Sequence, residues 1–351
     1  MNKTINNLIR SLKERRRRNF LIRQNKYCFK LNKREMNICK KMGFSYSDYG
    51  MFRYNGEPID NYIPTLDSYV PRFNNGIFCE ISDNKLLFPY ILEKYFVVAK
   101  NYAVIQKGKI IAIGDSNFDE RNYLSFLKKH SLIIKPMDGY DGLSINKLEY
   151  NNGNLVLNGE IIDEEYLREF FSKKDGFIIQ EALKQDSFFE NLYNKSINTI
   201  RIVSARTSSE LSHEIIIAVQ RIGTKESMPA DNFSKGGLSS LIDIKTGKLS
   251  KATGAKSIID NKRVFFSNHP DTNSQIEGLV IPKWELIKES IINFTKCFPF
   301  FNYIAWDICL NNNGDPMVIE TNMKSSLGLF QVHGGLKQSK LNDIIQKLKI
   351  K

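Results

Sequence analysis

Residues 303–322, YIAWDICLNNNGDPMVIETN, predict the β-hairpin on which the fold depends. Two apolar runs flank Asn313-Gly314, a dipeptide typical of two-residue hairpin turns because both positions accept positive φ angles. A turn centred on this dipeptide places Asp307 opposite Glu320 on the neighbouring strand. The pattern therefore predicts two acidic side chains that face each other across paired strands.

The predicted hairpin also carries oxygen ligands for a metal ion. Side chains alternate along a strand, so Glu320 and Asn322 share one face. Asp307 and Glu320, directly opposed, repel each other unless a positive charge lies between them. Two carboxylates and an amide suit Mg²⁺, which also keeps water and binds phosphate oxygens. The alternative is an exposed hairpin whose acids are only solvated.

Composition indicates a globular protein with an excess of positive charge. The chain has 351 residues, of which 42% are hydrophobic and 25% charged, enough for two or three subdomains. The formal net charge is +13. Such an excess favours anionic partners, among them nucleotides, acidic sugars, a membrane surface and nucleic acid, without choosing between them.

Cysteine, histidine and hydropathy patterns argue against a disulfide-bonded protein, a histidine metal site, a GxSxG hydrolase and a membrane-spanning protein. The five cysteines form no CxxC pair, and their odd number argues against a disulfide framework. We therefore expect reduced cysteines and a cytoplasmic protein. The four histidines lack metal-ligand spacing, and no GxSxG nucleophile motif occurs. No signal peptide or run of about 18 apolar residues is present, so we expect a soluble or at most peripheral protein.

The N-terminal segment, residues 1–42, is strongly basic and includes the run Arg15–Arg18. Apolar residues recur at helical spacing ahead of that run: Ile5, Leu8, Ile9 and Leu12. This spacing predicts an amphipathic helix. The helix could cover part of the core with a solvated basic face, or residues 1–18 could contact an anionic membrane surface. Nucleic acid is the less expected partner because no aromatic residues interleave the basic run.

Local patterns predict several further elements. A helix is expected from Glu80 to Phe96 with Asp83 as its N-cap. Lys107-Gly108 is expected to turn a β-hairpin, and a strand is expected to end at Lys135, ahead of Gly139 and Gly142. A lysine beside a glycine loop can hold a phosphate, although a plain turn explains the same residues.

Two further strands carry polar residues at notable positions. One strand ends in Gln180-Glu181-Ala182-Leu183, which could face an adenine ring or simply lead into a helix. Another, SINTIRIVSAR, has Arg201 in its interior. A charged residue inside an apolar strand needs a partner, either a phosphate ligand or an ion pair within the sheet.

The order of these motifs resembles the ATP-grasp superfamily, and within it the sugar-transfer-associated ATP-grasp family linked to cell-surface polysaccharide synthesis. The resemblance covers about residues 43–335 and is most specific near the C-terminus. The motifs that carry it are DNK at 83–85, the strand ending in Lys135, QEAL at 180–183, NTIR at 198–201, DNFSKGG at 231–237, and WD…G…ETN within 306–322.

The resemblance implies an α+β fold in which two subdomains grip ATP, preceded by a basic, mostly helical N-terminal region. It divides the chain into five segments: a basic helical and Tyr-rich region at 1–75, the first part of the ATP-grasp enzyme at 76–130, a subdomain with Lys135 and the glycine loop at 131–183, a C-terminal subdomain with the metal site at 184–335, and a closing helix at 336–351.

The resemblance also implies a role for each matched residue. The implied ATP contacts are Lys85, Lys135, Gly139, Gly142, Gln180, Glu181, Leu183 and, at the ribose, Asp186. Arg201 would touch the transferred phosphate, while Asn232 and Lys235 would border the acceptor site near Gly236-Gly237. Asp307, Glu320 and Asn322 would hold one or two Mg²⁺ ions. The segment PMDGYDGLS has fewer glycines than many ATP-grasp loops.

The implied chemistry is ATP-dependent joining of a carboxylate to an amine through an acyl phosphate. The carboxylate would belong to a small molecule or to an acidic sugar of a surface polymer. Two alternatives remain at this stage: a kinase on the same fold, and a non-catalytic basic module for a membrane surface or nucleic acid. The latter would show steep salt dependence and no nucleotide turnover.

Overall fold

The computed structural model describes residues 3–69, 75–76, 78–114, 116, 118, 122–137, 144–207, 213–323 and 325–349, with side chains from residue 13 onward. In chain order its strands are β1 (Val97–Val98), β2 (Asn101–Gln106), β3 (Lys109–Ala112), β4 (Leu132–Pro136), β5 (Asn146–Asn151), β6 (Asn154–Leu157), β7 (Glu160–Ile162), β8 (Phe177–Glu181), β9 (Ile200–Ala205), β10 (Glu214–Ile222), β11 (Leu238–Ile242), β12 (Leu249–Gly254), β13 (Ile258–Ile259), β14 (Lys262–Arg263), β15 (Tyr303–Leu310) and β16 (Pro316–Asn322).

The α-helices surround these strands. In chain order they are α1 (Lys3–Arg23), α2 (Lys33–Met42), α3 (Tyr46–Phe52), α4 (Thr65–Ser68), α5 (Phe78–Asp83), α6 (Phe88–Leu92), α7 (Tyr123–Leu127), α8 (Glu164–Ser172), α9 (Ser187–Leu192), α10 (Trp284–Cys297), α11 (Gly328–Gln331) and α12 (Lys340–Lys349). Single 3₁₀ turns occur at Ile59–Asn61 and Phe233–Lys235. This composition confirms the expected α+β class and the helical N-terminal region.

Two seven-stranded sheets organise the described part of the chain. The large sheet has the order β1-β16-β15-β9-β10-β11-β12, and the small sheet has the order β3-β2-β8-β4-β5-β6-β7. Apart from the parallel pair β1 and β16, the pairings within both sheets are antiparallel. Strands β13 and β14 form a separate two-stranded ribbon.

The large sheet is covered on both faces, which explains why all eight residues of β15 are buried. One face carries Trp306 and packs against α10 through Ile287, Ile291 and Phe294. These three helix residues recur at intervals of four and three, so they form one apolar stripe. Apart from Asp307 the strand is apolar, because neither face reaches water along most of its length.

The other face of the large sheet meets both ends of the chain. Val203, Val219 and Tyr303 of the sheet belong to one apolar cluster with Phe44 from the N-terminal region and Ile345 from α12. Among the side chains that the structure describes, burial in the N-terminal region begins at Ile22, which belongs to this cluster. The small sheet has a core of its own, to which α7 and α8 contribute.

The decisive hairpin forms with the expected pairing but with a different turn. Strand β15 ends at Leu310, which pairs with Pro316, so residues 311–315 connect the strands instead of a two-residue turn. Asp307 nevertheless pairs with Glu320, because the register shifts by one residue between Ile308 and Asp307. The extra residue in β16 is Ile319, and such a β-bulge re-aims the side chains that follow it.

Other local predictions give mixed outcomes. The hairpin at Lys107-Gly108 is confirmed, and both residues have positive φ angles, 48° and 74°. The single helix expected from Glu80 to Phe96 is wrong. Helix α5 ends at Asp83 and α6 begins at Phe88, so Asp83 closes a helix instead of capping the start of one. The interruption places Lys85 in a turn.

Gln331 of α11 hydrogen-bonds to the backbone of the N-terminal region, and its loss should destabilise the fold. Its side-chain amide accepts from the Ile63 N–H at 2.7 Å and donates to the Ile63 carbonyl at 3.0 Å, and both residues are buried. Gln331→Met should lower the free energy of unfolding by about 3 kcal/mol, because two buried backbone groups lose their partners. Urea unfolding measures this change. The control is Gln346→Met at a half-buried position of α12, whose free energy of unfolding should lie within about 1 kcal/mol of wild type. Equal losses in both variants would contradict the assignment.

Candidate active site

A cavity of about 380 Å³ lies between the two sheets. Its size falls within the range of small-molecule sites. The small sheet contributes Ile133, Lys135, Pro136, Gln180 and Glu181, whereas the large sheet contributes Arg221, Asp307, Ile319 and Glu320. The remaining lining residues come from connecting segments: Lys85, Ala99, Ser144, Ile145, Leu183, Ile197, Thr199 and Pro229 to Asn232. The cavity thus collects charged residues from both sheets.

The two opposed carboxylates have different electrostatic environments. Burial alone would raise the pKa of Asp307, but the guanidinium groups of Arg201 and Arg221 outweigh it and hold that pKa below its ordinary value. The pKa of Glu320 is raised, first by burial and then by repulsion from Asp307. Glu320 also has no hydrogen-bond or ion-pair partner among the described residues, so its charge is the less compensated of the two.

Two arginines hold Asp307 from one side of the large sheet. Arg201 donates to both carboxylate oxygens, through Nε to Oδ1 and through Nη2 to Oδ2 at 2.7 Å. Its Nη1 donates to the Ser325 hydroxyl at 2.9 Å. Arg221 donates from Nη1 to Asp307 Oδ2 at 2.9 Å. The ion pair within the sheet, one of the two interpretations of Arg201, is therefore present.

Arg221 and Asp231 extend this network, and the sequence analysis did not single them out. Arg221 lies 2.7 Å from Asp231 Oδ1 as well as contacting Asp307. Asp231 Oδ2 accepts from the backbone N–H and the hydroxyl of Thr199, at 2.8 and 2.6 Å. The signal for Arg221 was the one used for Arg201, a charged residue inside an apolar strand, here in HEIIIAVQRIG.

The two predicted phosphate lysines come together beside Glu320. Lys135 lies near the end of β4, as expected, and Lys85 lies in the turn between α5 and α6. Burial lowers the pKa of Lys135 to about 8; the charge of Lys85 also lowers it, whereas Glu320 opposes both effects. Because burial disfavours the charged form of Lys135, a polyanionic ligand nearby would stabilise that charged form.

The segment 180–183, which the family resemblance implies as an adenine contact and which we call the hinge segment, contributes to the same cavity. Gln180, Glu181 and Leu183 all line it. The side chain of Gln180 donates to the side-chain oxygen of Asn101, and the Glu181 N–H donates to the Lys100 carbonyl at 2.9 Å, so two residues that precede or begin β2 hold the segment in place. Asp186 is not among the lining residues; its carboxylate instead caps α9 by accepting from the Phe188 N–H at 2.8 Å.

The remaining predicted residues are distributed around this centre. Asn232 lines the cavity and its side-chain oxygen accepts from the N–H of Ser234, which fixes the 3₁₀ turn. Lys235 is half-buried in that turn and is not among the lining residues. Asn322 is buried opposite Ala305, two positions beyond Glu320 on the same face. Gly139 and Gly142 lie outside the described residues.

The acid pair fits a hard divalent cation better than a zinc-type centre. Within the described ranges, no group of three or more His, Cys, Asp and Glu residues could hold a metal ion. Asp307 Oδ1 accepts one hydrogen bond, so one acceptor position remains on that oxygen. Together with the less compensated charge of Glu320, this leaves oxygen ligands for Mg²⁺, which takes its other ligands from phosphate and water.

Glu320→Gln and Asp307→Asn should change stability in opposite directions. At neutral pH without metal, Glu320→Gln should raise the free energy of unfolding by on the order of 1 kcal/mol, because it removes a repelled carboxylate. Asp307→Asn should lower it by about 3 kcal/mol, because two buried guanidinium groups lose their counterion.

Thermal unfolding as a function of pH checks this pair. The raised pKa of Glu320 means that its unfavourable charge disappears on acidification, so the gain of Glu320→Gln over wild type should shrink as pH falls through that pKa. A loss of stability in Glu320→Gln at neutral pH would instead show that Glu320 is a structural residue.

Several solved structures of ATP-grasp ligases are similar to this chain. The chain resembles solved structures of the ATP-grasp ligase PsnB with a minimal precursor (14% identity, TM-score 0.41, 79% of this chain and 63% of that chain), of an L-amino acid ligase from Bacillus licheniformis (12%, 0.38, 77% and 47%) and of a RiPP-associated ATP-grasp ligase from Chryseobacterium gregarium (14%, 0.38, 77% and 59%). The chain spans less than two thirds of each of these. A comparison with curated proteins found no match.

The family assignment rests on a sequence model rather than on those structures. The model described as sugar-transfer associated ATP-grasp matches residues 65–346, about four fifths of the chain. The match confirms the resemblance and the ATP-grasp fold. The chain belongs to the sugar-transfer associated ATP-grasp family.

Proposed function

We propose that the protein is an ATP- and Mg²⁺-dependent ligase that joins a carboxylate to an amine. The observation that carries this proposal is the cavity between the sheets, where Lys135 of the small sheet and Lys85 of the α5–α6 turn lie with two carboxylates of the large sheet. Phosphoryl transfer needs little else from a protein than positioning and charge neutralisation. Both requirements can be met by these residues.

The nucleotide is expected to lie along the small sheet. Apolar side chains of Ile133, Leu183, Ile197 and Ile319 line the cavity and offer faces for a purine ring. Gln180 and Glu181 lie at the edge of this apolar part, where the hinge would meet the adenine ring. Lys85 and Lys135 would then contact the phosphates, and Gly139 and Gly142 remain proposed contacts of the closing loop. The ribose contact proposed for Asp186 requires its carboxylate to serve a ligand while it caps α9.

The acidic end of the cavity would hold the metal. Asp307, Glu320 and Asn322 would bind one or two Mg²⁺ ions, which supply charge neutralisation to the triphosphate when bound. Arg201 and Arg221 keep Asp307 ionised and oriented, because each guanidinium contacts it directly. We place Arg201 next to the transferred phosphate, since it is the arginine paired with Asp307 across β9 and β15.

The reaction consists of two substitutions. A carboxylate oxygen of the substrate attacks the γ-phosphorus of ATP, the bond from that phosphorus to the β,γ-bridging oxygen breaks, and ADP leaves. The amine then attacks the acyl carbon, phosphate leaves, and the nitrogen loses a proton. Asn232 lines the cavity, so it is the proposed contact of the acceptor, with Lys235 beside it in the same turn.

We assign the substrate class from chemistry and family together. The carboxylate would belong to a small molecule or to an acidic sugar destined for a surface polysaccharide, as the family description suggests. The five cysteines are all free, which supports the proposed cytoplasmic location.

Trapping of the activated carboxylate tests this function. Purified protein with Mg²⁺, ATP, hydroxylamine and a panel of acidic sugars and amino acids should release ADP and form a hydroxamate, because hydroxylamine intercepts acyl phosphates. Glu320→Gln should reduce turnover by at least about 100-fold, since it removes a charge from the metal site.

The products distinguish the alternatives. A phosphate ester in place of a hydroxamate would identify a kinase on the same fold. No stabilisation by Mg²⁺-ATP over a wide concentration range would reject the nucleotide site itself, because saturating ligand should stabilise the native protein by about 2.7 kcal/mol at 100 times its Kd. Asn191→Asp, which adds a carboxylate at an exposed position, serves as a control expected to retain wild-type turnover.

The lowered pKa of Lys135 predicts that ATP affinity falls in alkaline solution. In the free protein Lys135 loses its proton near pH 8, whereas bound phosphates would raise its pKa, so binding takes up a proton above that pH. The affinity should therefore fall by up to about tenfold per pH unit above pH 8. Titration calorimetry between about pH 7 and 9.5 measures this. Lys135→Arg is the control, because arginine stays charged; the same fall in both proteins would contradict the role of Lys135.

A further inference from the structure

The net positive charge of the protein is concentrated in its N-terminal segment. Residues 1–42 contain 14 Lys and Arg and 2 Asp and Glu, a net charge of +12. The remaining 309 residues therefore carry only +1 of the total +13. This basic segment also precedes the family match, which begins at residue 65. The charge excess consequently belongs to a separate surface and not to the cavity.

The basic residues of this segment are exposed. Every side chain from Lys13 to Phe20 is exposed, although these eight residues span more than two turns of α1. Among the described side chains of α1, burial begins near the end of the helix, where Ile22 is 2% exposed. The stretch from Lys13 to Phe20 is therefore exposed around the whole circumference of the helix, and a partner can approach it from outside.

Helix α2 continues the same surface. The Arg18 guanidinium donates to the Lys40 carbonyl at 3.0 Å, which places the arginines of α1 beside the lysines of α2. We name as the basic N-terminal surface the exposed residues Lys13, Arg15 to Arg18, Lys33, Arg34, Lys40 and Lys41. Of the two acids in the segment, Glu35 is occupied by Arg53 at 2.6 Å and by the backbone of the α2 cap. Little negative charge offsets this surface.

An apolar residue distinguishes between anionic partners. Phe20, two positions after Arg18, is 67% exposed. A soluble polyanion would neutralise the arginines but leave this ring in water, whereas a lipid interface accepts both charge and ring. A second copy of the chain is disfavoured, because the same surface would bring like charges together. Among the described helices, none is long and apolar enough to cross a bilayer.

We propose that the basic N-terminal surface docks the protein on an anionic lipid bilayer, with Phe20 entering the interface. Lysine and arginine side chains would contact phosphate headgroups, and attraction of this kind acts within about 10 Å at moderate salt. This inference is independent of the ligase reaction. It would keep an otherwise nearly neutral protein beside a membrane.

Vesicle partitioning of the full-length protein tests the proposal. Wild type should co-sediment with vesicles of phosphatidylcholine containing about one third phosphatidylglycerol, and not with phosphatidylcholine alone. Raising the salt from about 0.05 to 0.5 M should release it, because exposed charges are then screened. Binding to phosphatidylcholine alone, or binding unaffected by salt, would overturn the proposal.

Two variants separate charge from insertion. Lys13→Gln/Arg15→Gln/Arg16→Gln leaves Arg17 and Arg18, which have contacts within the protein, and should weaken partitioning on the order of 100-fold. Phe20→Ser should weaken it about tenfold. The matched control is Lys195→Gln/Lys225→Gln/Lys245→Gln, three exposed lysines outside the segment with the same loss of charge, which should bind as wild type does.

The outcomes decide between a lipid surface and other polyanions. Unchanged partitioning of the triple N-terminal variant or of Phe20→Ser would overturn the proposal, as would an equal loss in the control. Binding to short duplex DNA without binding to anionic vesicles would likewise overturn it and identify nucleic acid as the partner. Thermal unfolding of each variant should match wild type, because all substituted residues are exposed.

Discussion

The pairing of Asp307 with two arginines is the interaction on which the site depends. Four neighbouring strands of the large sheet, β16, β15, β9 and β10, contribute Glu320, Asp307, Arg201 and Arg221. Charges can remain in a sheet covered on both faces only when their partners are equally well placed. The arginines satisfy Asp307 and leave Glu320 with the weaker compensation. One carboxylate is therefore fixed by the protein, while the other favours a cation from outside.

One face of the large sheet is entirely core, whereas the other is partly core and partly the wall of the cavity. The face that carries Trp306 is apolar and is covered by α10. The opposite face begins as core, where Val203, Val219 and Tyr303 meet the N-terminal region, and continues as the polar wall of the cavity. The same strands thus anchor the ends of the chain and position the charged residues. Apolar packing outside the cavity therefore supports the strands that form the cavity wall.

Electrostatic charge is divided between two places. The cavity contains both signs in similar amounts, because lysines and an arginine face four acids: Glu181, Asp231, Asp307 and Glu320. The N-terminal segment contains almost the whole net charge of the chain. A global net charge of +13 thus says little about the affinity of the cavity for its substrates. It describes a surface that the family match does not include.

The amino-acid sequence determined the residue types of the site and much of the local structure. Its spacing predicted the hairpin at Lys107-Gly108, which depends on turn chemistry, and the pairing of Asp307 with Glu320, although the structure reaches that pairing through a longer connection and a bulge. The role of Lys135 followed from the family resemblance and not from spacing. It failed where a local pattern was ambiguous, as in the segment from Glu80 to Phe96. Apolar spacing there does not reveal that the helix stops at Asp83.

Only the tertiary structure decided which charges meet and how they are compensated. Arg221 and Asp231 are ten positions apart in sequence, and their contact depends on how the segment after β10 folds back over the large sheet. The register of the acid pair depends on the bulge at Ile319, and the low pKa of Lys135 depends on burial between two sheets. Burial and long-range electrostatics are properties of the assembled sheets, and no stretch of sequence contains them.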